Sequence, residues 1–470
     1  MEVKRKVHGR PIFSRFQSQA ANYAEIPHSC ALKHPRPRMF FTVQVKTCDR
    51  LAKKRRMKDT QRRLADLRAR MADIDRKYED RPRSSAAEVL PNPALRYVEN
   101  WLGGEVVQTP FGCHFETEKL YEPHRHHGSA DIGALADLPH DVLDALSDGK
   151  IPSSPPGEWA FLDTETTGVR GDAGTCAFLV GVGRITRDGF RVRQFFMREY
   201  GEEASLLHAL GRHLAPFRVM ITYNGRAYDQ PLLETRYRIQ RCRAPFAGIE
   251  HLDLLHGARR LWKLRFESCR LVELENRILG VEREGDLPGA LIPYVYFEYL
   301  RTRQAARLLP VFEHNAVDIL SLACLTGIVP HAFKDPAMPL RHGAEIVGIA
   351  RWLKEAGEWE AARTLLRRAV DTGLSDGLLF PTLWDLAAIE RKLREWDSAL
   401  EIWNDLAATR NPFRARALEE LAKHHEHRLK DYEAALAYTK SALDLDSSLE
   451  LRHRAARLRA KIKSTCQKLA

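Results

Sequence analysis

The sequence predicts an α/β domain with a mixed five-stranded sheet flanked by helices, followed by an all-α domain of stacked helical repeats. Two observations carry this expectation. Between residues 157 and 332, three strand-like runs precede a helix–strand–helix–strand order. From residue 340 to 468, GEWEAARTLLRRAV, REWDSALEIWNDLA and KDYEAALAYTKSAL align. Trp359, Trp396 and Tyr432 lie 37 and 36 residues apart there, and Ala362, Ala399 and Ala435 keep step.

A chain of 470 residues suggests about three domains. Residues 1–48 have no clear period and read as an irregular arm. Residues 49–83 read as a basic helix: Leu64, Leu67, Met71, Ile74 and Tyr78 form a 3-4-spaced apolar stripe that Pro82 ends. Its basic faces suit either solvent or phosphates. Residues 84–156 read as a small α+β lead-in. VVQTPFGCHFE is a hairpin candidate, and HDVLDALSDG a short amphipathic helix. YEPHRHHG lacks HExxH-like spacing and is expected to be a solvent-exposed turn rather than a metal site.

IPSSPPGEW breaks the chain and marks the boundary before 157–332. Apolar runs at 159–162, 177–185 and 190–196 follow. The Asp-Gly of TRDG between the last two predicts an antiparallel hairpin. EEASLLHALGRHLAPF reads as a helix, VMITYN as a strand, DQPLLETRYRIQRC as a helix and GIEHLDLL as a strand, with further helices over 258–330. This is the order of a ribonuclease-H-like sheet. The C-terminal period is slightly longer than the 34 residues of the tetratricopeptide repeats it resembles; such an array presents a surface to a protein partner.

Charge is unevenly placed. Of 74 Lys+Arg and 62 Asp+Glu, residues 1–83 hold 23 and 9, which leaves 51 against 53 for the rest. The basic character therefore belongs to the N-terminal arm, and the body is not a uniformly basic nucleic-acid glove. No run approaches the roughly 18 consecutive apolar residues of a membrane span, so no membrane partner is expected. MEVKRKVHGRPIF lacks an apolar h-region. The eight cysteines are scattered without a CxxC pair, as in a reduced, cytoplasmic protein.

The chemistry concentrates in FLDTETTG, residues 161–168. An apolar strand delivers Asp163 and Glu165, and residues i and i+2 share a face. Adjacent carboxylates repel unless a cation sits between them, and hard oxygen donors select Mg²⁺ or Mn²⁺. Asp229 follows Asn224 by five residues at a strand-to-helix junction, and Asp318 follows His314 by one helical turn. Four acids at one sheet edge would suit a two-metal phosphodiester hydrolase, with His314 as proton acceptor.

These segments resemble the Exo I, II and III motifs of DEDD-type 3′–5′ exonucleases. Residues 159–330 resemble the ribonuclease-H-like domain of the YprB family of predicted exonucleases through FLDTETTG, TYNGRAYDQPLL, HLDLLHGARRLWK, GDLPGALIPYVYFEYLR and EHNAVDILSL. The resemblance implies metal binding by Asp163, Glu165, Asp229 and Asp318, two Mg²⁺ or Mn²⁺ ions, and a base at His314. The histidine subclass usually places its His five residues before the last Asp; here the interval is four. His314 could instead orient a water or a phosphate.

Thr164 and Asn224 are candidate substrate contacts, Asn224 being equally suited to capping a turn. Arg259, Arg260 and Lys263 beside Trp262 could hold a phosphate backbone, or form a solvated face over a buried Trp. Asp253 could support the site or cap the following helix. DLPG at 286–289 reads as a turn with no functional role. The leading expectation is a 3′–5′ exonuclease on DNA or RNA. The alternatives are a non-catalytic nucleic-acid-binding scaffold with a degenerate nuclease fold, and a ribonuclease-H-type endonuclease.

Overall fold

A computed structural model describes residues 98–469 except 148, 169–173, 284 and 336–339. The expected N-terminal arm and basic helix lie outside the described residues. The described chain falls into two compact units: one contains the stretch up to Arg259 with 268–335, the other 260–267 with the chain after 335.

The first unit is built on a mixed sheet. Its strands are β1 (Gly104–Thr109), β2 (Gly112–Tyr121), β5 (Trp159–Thr166), β6 (Ala177–Thr186), β7 (Gly189–Phe196), β8 (Val219–Thr222) and β9 (Glu250–Asp253), with β3 (His126–His127) and β4 (Ala130–Asp131) forming a separate small pair. The order is β1-β2-β7-β6-β5-β8-β9. β5, β8 and β9 run parallel, and the other neighbours antiparallel. The helices are α1 (Glu203–Leu214), α2 (Asp229–Ile239), α3 (Leu254–Trp262, which starts here), α4 (Leu271–Leu274), α5 (Ile292–Thr302), α6 (Leu309–Thr326) and α7 (Val329–Lys334).

The five expected strands are present, and the sheet holds seven. The 104–121 hairpin of the lead-in is hydrogen-bonded to β7, Phe115 opposite Phe196, so it extends this sheet. The expected helix in HDVLDALSDG is a single 3₁₀ turn, Val142–Leu146. The sheet and its helices share a core in which Phe115, Phe178, Phe196, Tyr296 and Phe312 are buried. Phe178 stacks on Tyr296 with ring centroids 3.9 Å apart. The helical stretch Ala305–Lys334 is long and apolar enough to cross a membrane, yet 72% of its most apolar 18 residues is buried inside the protein; here it belongs to the core.

The approach of α6 to the sheet depends on glycine. A Cβ on Gly181 would lie 2.2 Å from Asn315 Oδ1 and 2.3 Å from Ile319, and one on Gly183 would lie 2.5 Å from Ile319. Only a strand without side chains at these positions lets α6 come close enough to set Asn315 beside Asp163, the residue across the ladder from Gly181.

The second unit is helical: α8 (Gly343–Ala356), α9 (Trp359–Thr372), α10 (Asp376–Lys392), α11 (Trp396–Ala408), α12 (Arg414–His424), α13 (Tyr432–Leu443) and α14 (Leu449–Leu469). Each packs against the next in the chain. Trp359, Trp396 and Tyr432 open α9, α11 and α13, and Ala362, Ala399 and Ala435 are wholly buried where helices meet. A cation lies over each of the three aromatics: Lys392 over Trp359 at 5.2 Å, Arg428 over Trp396 at 3.7 Å and Lys461 over Tyr432 at 5.2 Å. The fully buried Glu390 takes Arg367 at 2.6 Å. Glu426, 36 residues on and also fully buried, takes Arg454 at 2.7 Å, Lys461 at 2.8 Å and Arg457 at 3.0 Å.

Candidate active site

The strand β5 explains where its acids sit. Its first four residues, Trp159 to Leu162, are buried, and the last four are half-buried. Its pairing with β8 stops at Phe161 opposite Ile221, so Asp163 and Glu165 run past the end of the neighbouring parallel strand. There β8 gives way to Tyr223 and Asn224, and α2 begins at Asp229. Asp229 is buried and accepts a hydrogen bond from the Thr164 hydroxyl at 2.5 Å. From the other side, α6 presents His314, Asn315 and Asp318, positions i, i+1 and i+4 of one helical face. Asn315 Nδ2 donates to Asp163 Oδ2 at 2.9 Å and to its carbonyl at 3.3 Å. Gln194 Nε2 in turn donates to Asn315 Oδ1 at 2.9 Å.

The electrostatics tie the four acids together. Burial, then the charges of Asp318 and Asp229, raise the Asp163 carboxyl well above the usual range. Glu165 is raised likewise by burial, then by Asp163, Asp318 and Asp229. Asp229 is pushed up to about 6, chiefly by burial, against the opposing Thr164 hydrogen bond. Asp318 is raised by burial, which outweighs the attraction of His314 and Arg283. Each carboxylate thus lacks the solvation a negative charge wants and faces others like itself.

His314 is seated by Asp286, whose Oδ1 lies 2.9 Å from Nδ1; its Nε2 is 3.7 Å from Asp318 Oδ2. Burial disfavours the imidazolium, but the Asp286 hydrogen bond and the charges of Asp318 and Asp286 outweigh it and raise the His314 pKa. Arg283 donates through Nη2 to Asp318 and to Glu275, and through Nε to Glu275 at 2.7 Å. Glu275, fully buried, also accepts from the Ser321 hydroxyl at 2.7 Å, and Ser321 meets His127 Nε2 at 2.7 Å.

This arrangement corrects two sequence expectations. The histidine-rich turn is not wholly exposed: His124 and His126 are, but His127 is buried on α6. Asp286 of DLPG is no bare turn residue, because it fixes His314. Asp286, Arg283, Glu275 and Asn315 were all missed. Only Asn315 carried a signal, its place on the His314–Asp318 face.

Asn224 adopts a left-handed backbone (φ 69°), which Asn tolerates better than most residues. Its N–H donates to Asp253 Oδ1 at 2.8 Å. Asp253 also accepts from Arg226 N at 3.2 Å and Leu255 N at 3.1 Å. It therefore both caps the start of α3 and holds the loop leading to Asp229, whose carboxyl it helps raise. Arg259, Arg260 and Lys263 are exposed on and just after α3, while Trp262 is buried and donates to Glu345 at 3.1 Å.

In chemistry the donor set fits a divalent ion: hard carboxylate oxygens whose mutual repulsion a cation would relieve. Asp163, Glu165, Asp229 and Asp318 would hold it. Among the described residues, no three His, Cys, Asp or Glu groups close on one point as they stand.

The mixed sheet, its order and the acids at the end of β5 define a nucleic-acid-hydrolase fold of the ribonuclease H type. Residues 160–329 match the family RNase_H_2 of the RNase_H superfamily. The chain is also 32% identical over 312 residues to a protein of Bacillus subtilis (strain 168) named "Uncharacterized protein YprB", covering 65% of this chain and 75% of that one. The chain belongs to the YprB family of ribonuclease-H-superfamily proteins.

Proposed function

We propose that this protein is a divalent-metal-dependent nuclease that removes nucleotides from the 3′ end of DNA or RNA. The observation that supports this reading above all is the gathering of Asp163 and Glu165 at the free end of β5 with Asp229 of α2 and Asp318 of α6, where burial raises all four carboxyls and the charges of Asp229 and Asp318 raise Asp163 and Glu165 further, a cluster that burdens the fold unless cations are to be bound. Two Mg²⁺ or Mn²⁺ ions would supply Lewis acidity and lower the pKa of the attacking water.

The chain's own residues have separate tasks. Asn315 fixes the rotamer of Asp163, and Thr164 that of Asp229. Asp286 accepts the Nδ1 proton of His314, which leaves Nε2 of the neutral ring to take the proton of the attacking water. Arg259, Arg260 and Lys263 offer exposed charge to a phosphate backbone, and Asn224 a polar contact to the strand end. The C-terminal helices, read as tetratricopeptide-like, are assigned to a protein partner, and the protein to the cytoplasm.

The test is incubation of the full chain with end-labelled single- and double-stranded DNA and RNA, with Mg²⁺, Mn²⁺ or chelator. Metal-dependent products shortening from the 3′ end are expected. Internal cuts would make it an endonuclease, and binding without cleavage would reject the enzyme.

A further inference from the structure

Arg283 is 10% exposed in its side chain and holds two carboxylates at once, the fully buried Glu275 and Asp318. The two seats differ. Glu275 engages both Nε and Nη2, and is itself fixed by Ser321 and, through it, His127. Asp318 engages Nη2 alone. A third carboxylate, Asp286 Oδ2, lies 3.4 Å from Nη1. A cavity of about 370 Å³ bordered by Tyr121, Arg283, Asp286 and His314 opens beside it. The guanidinium thus has a fixed end, a shared end, and both room and a partner for movement.

We propose that Arg283 is the resident counter-cation of Asp318: it neutralises this carboxylate when no metal is bound and gives it up to an incoming divalent ion, shifting toward Asp286 while Glu275 keeps its hold. This deepens the metal-dependent reading and rests on it. The guanidinium occupies lone pairs that a metal needs, and its charge opposes a second cation a few ångströms away.

The test is Mn²⁺ titration of the full chain without substrate, followed by the EPR signal of free Mn²⁺. Arg283→Gln should tighten Mn²⁺ binding by about tenfold or more, the order expected for removing one charge at this range. Because that substitution strands the buried Glu275 charge, Glu275→Gln/Arg283→Gln is measured beside it; it frees the Asp318 lone pairs but also loses the Glu275 negative charge, so it should bind Mn²⁺ more tightly than the parent and less tightly than the single variant. Binding unchanged or weakened in the folded double variant, with the parent chain binding Mn²⁺, overturns the counter-cation role alone. No Mn²⁺ bound by parent or variants overturns it together with the hydrolase reading.

Discussion

Asp229→Asn isolates the burden of the acid cluster. The Asp229 carboxyl is raised from 3.8 to about 6, first by burial. At about 1.4 kcal/mol per pH unit, its ionised form costs the fold about 3 kcal/mol above pH 6. Asparagine removes that cost but keeps an oxygen for the Thr164 hydroxyl. That figure is already net of the Thr164 hydrogen bond to the charged form, so the expected gain is about 3 kcal/mol. The sign with pH follows from the raised value. The folded state takes up the proton near pH 6 and the unfolded state only near 3.8, so the parent chain recovers stability as pH falls between these values and the gain from Asn fades. Thermal unfolding in chelator at pH 7.5 should show the variant melting roughly 6–12 °C higher, with a shrinking difference at pH 5.5 and 4.5. Added Mg²⁺ should stabilise the parent more than the variant. A variant that melts at or below the parent at pH 7.5 in chelator, or a difference flat with pH, would refute the reasoning.

Other perturbations probe neighbouring links. Asn315→Ala unties Asp163 and Gln194; it should cost about 1–3 kcal/mol and lower metal-dependent turnover more than tenfold, and an unchanged melting curve and rate would contradict that role. His314→Gln should slow hydrolysis by about 10²–10⁴ if Nε2 is the proton acceptor, whereas a loss below about threefold reduces His314 to orienting a water or phosphate. Glu426→Ala leaves Arg454, Arg457 and Lys461 without their shared carboxylate; because Arg457 and Lys461 reach solvent, the loss is about 1–3 kcal/mol. Hydrogen exchange over Leu449–Leu469 should then approach that of a detached helix, and unchanged protection would count against the network.

Much of this was legible in local pattern. The strand carrying Asp163 and Glu165, the junction at Asp229 and the helical turn from His314 to Asp318 each announce themselves within a few residues. The C-terminal period is equally local, and Trp359, Trp396 and Tyr432 each open a helix. What stayed hidden depends on long-range contact. The 104–121 hairpin is readable, but its pairing with β7, some 75 residues on, is written in no local period. Arg283, Glu275 and Asp286 sit in or beside an irregular segment where neither helical nor strand spacing marks a face. His127 resembles its exposed neighbours in composition, and only the packing of β3 against α6 buries it.

The most direct measurement is anomalous diffraction at the manganese edge from crystals soaked in Mn²⁺. Two peaks within coordination distance of Asp163, with Glu165, Asp229 and Asp318 completing the ligands and the Arg283 guanidinium turned away from Asp318, are expected. A crystal of protein that degrades nucleic acid with Mn²⁺, yet shows its peaks away from these four carboxylates, would contradict the assignment of this sheet edge as the catalytic centre.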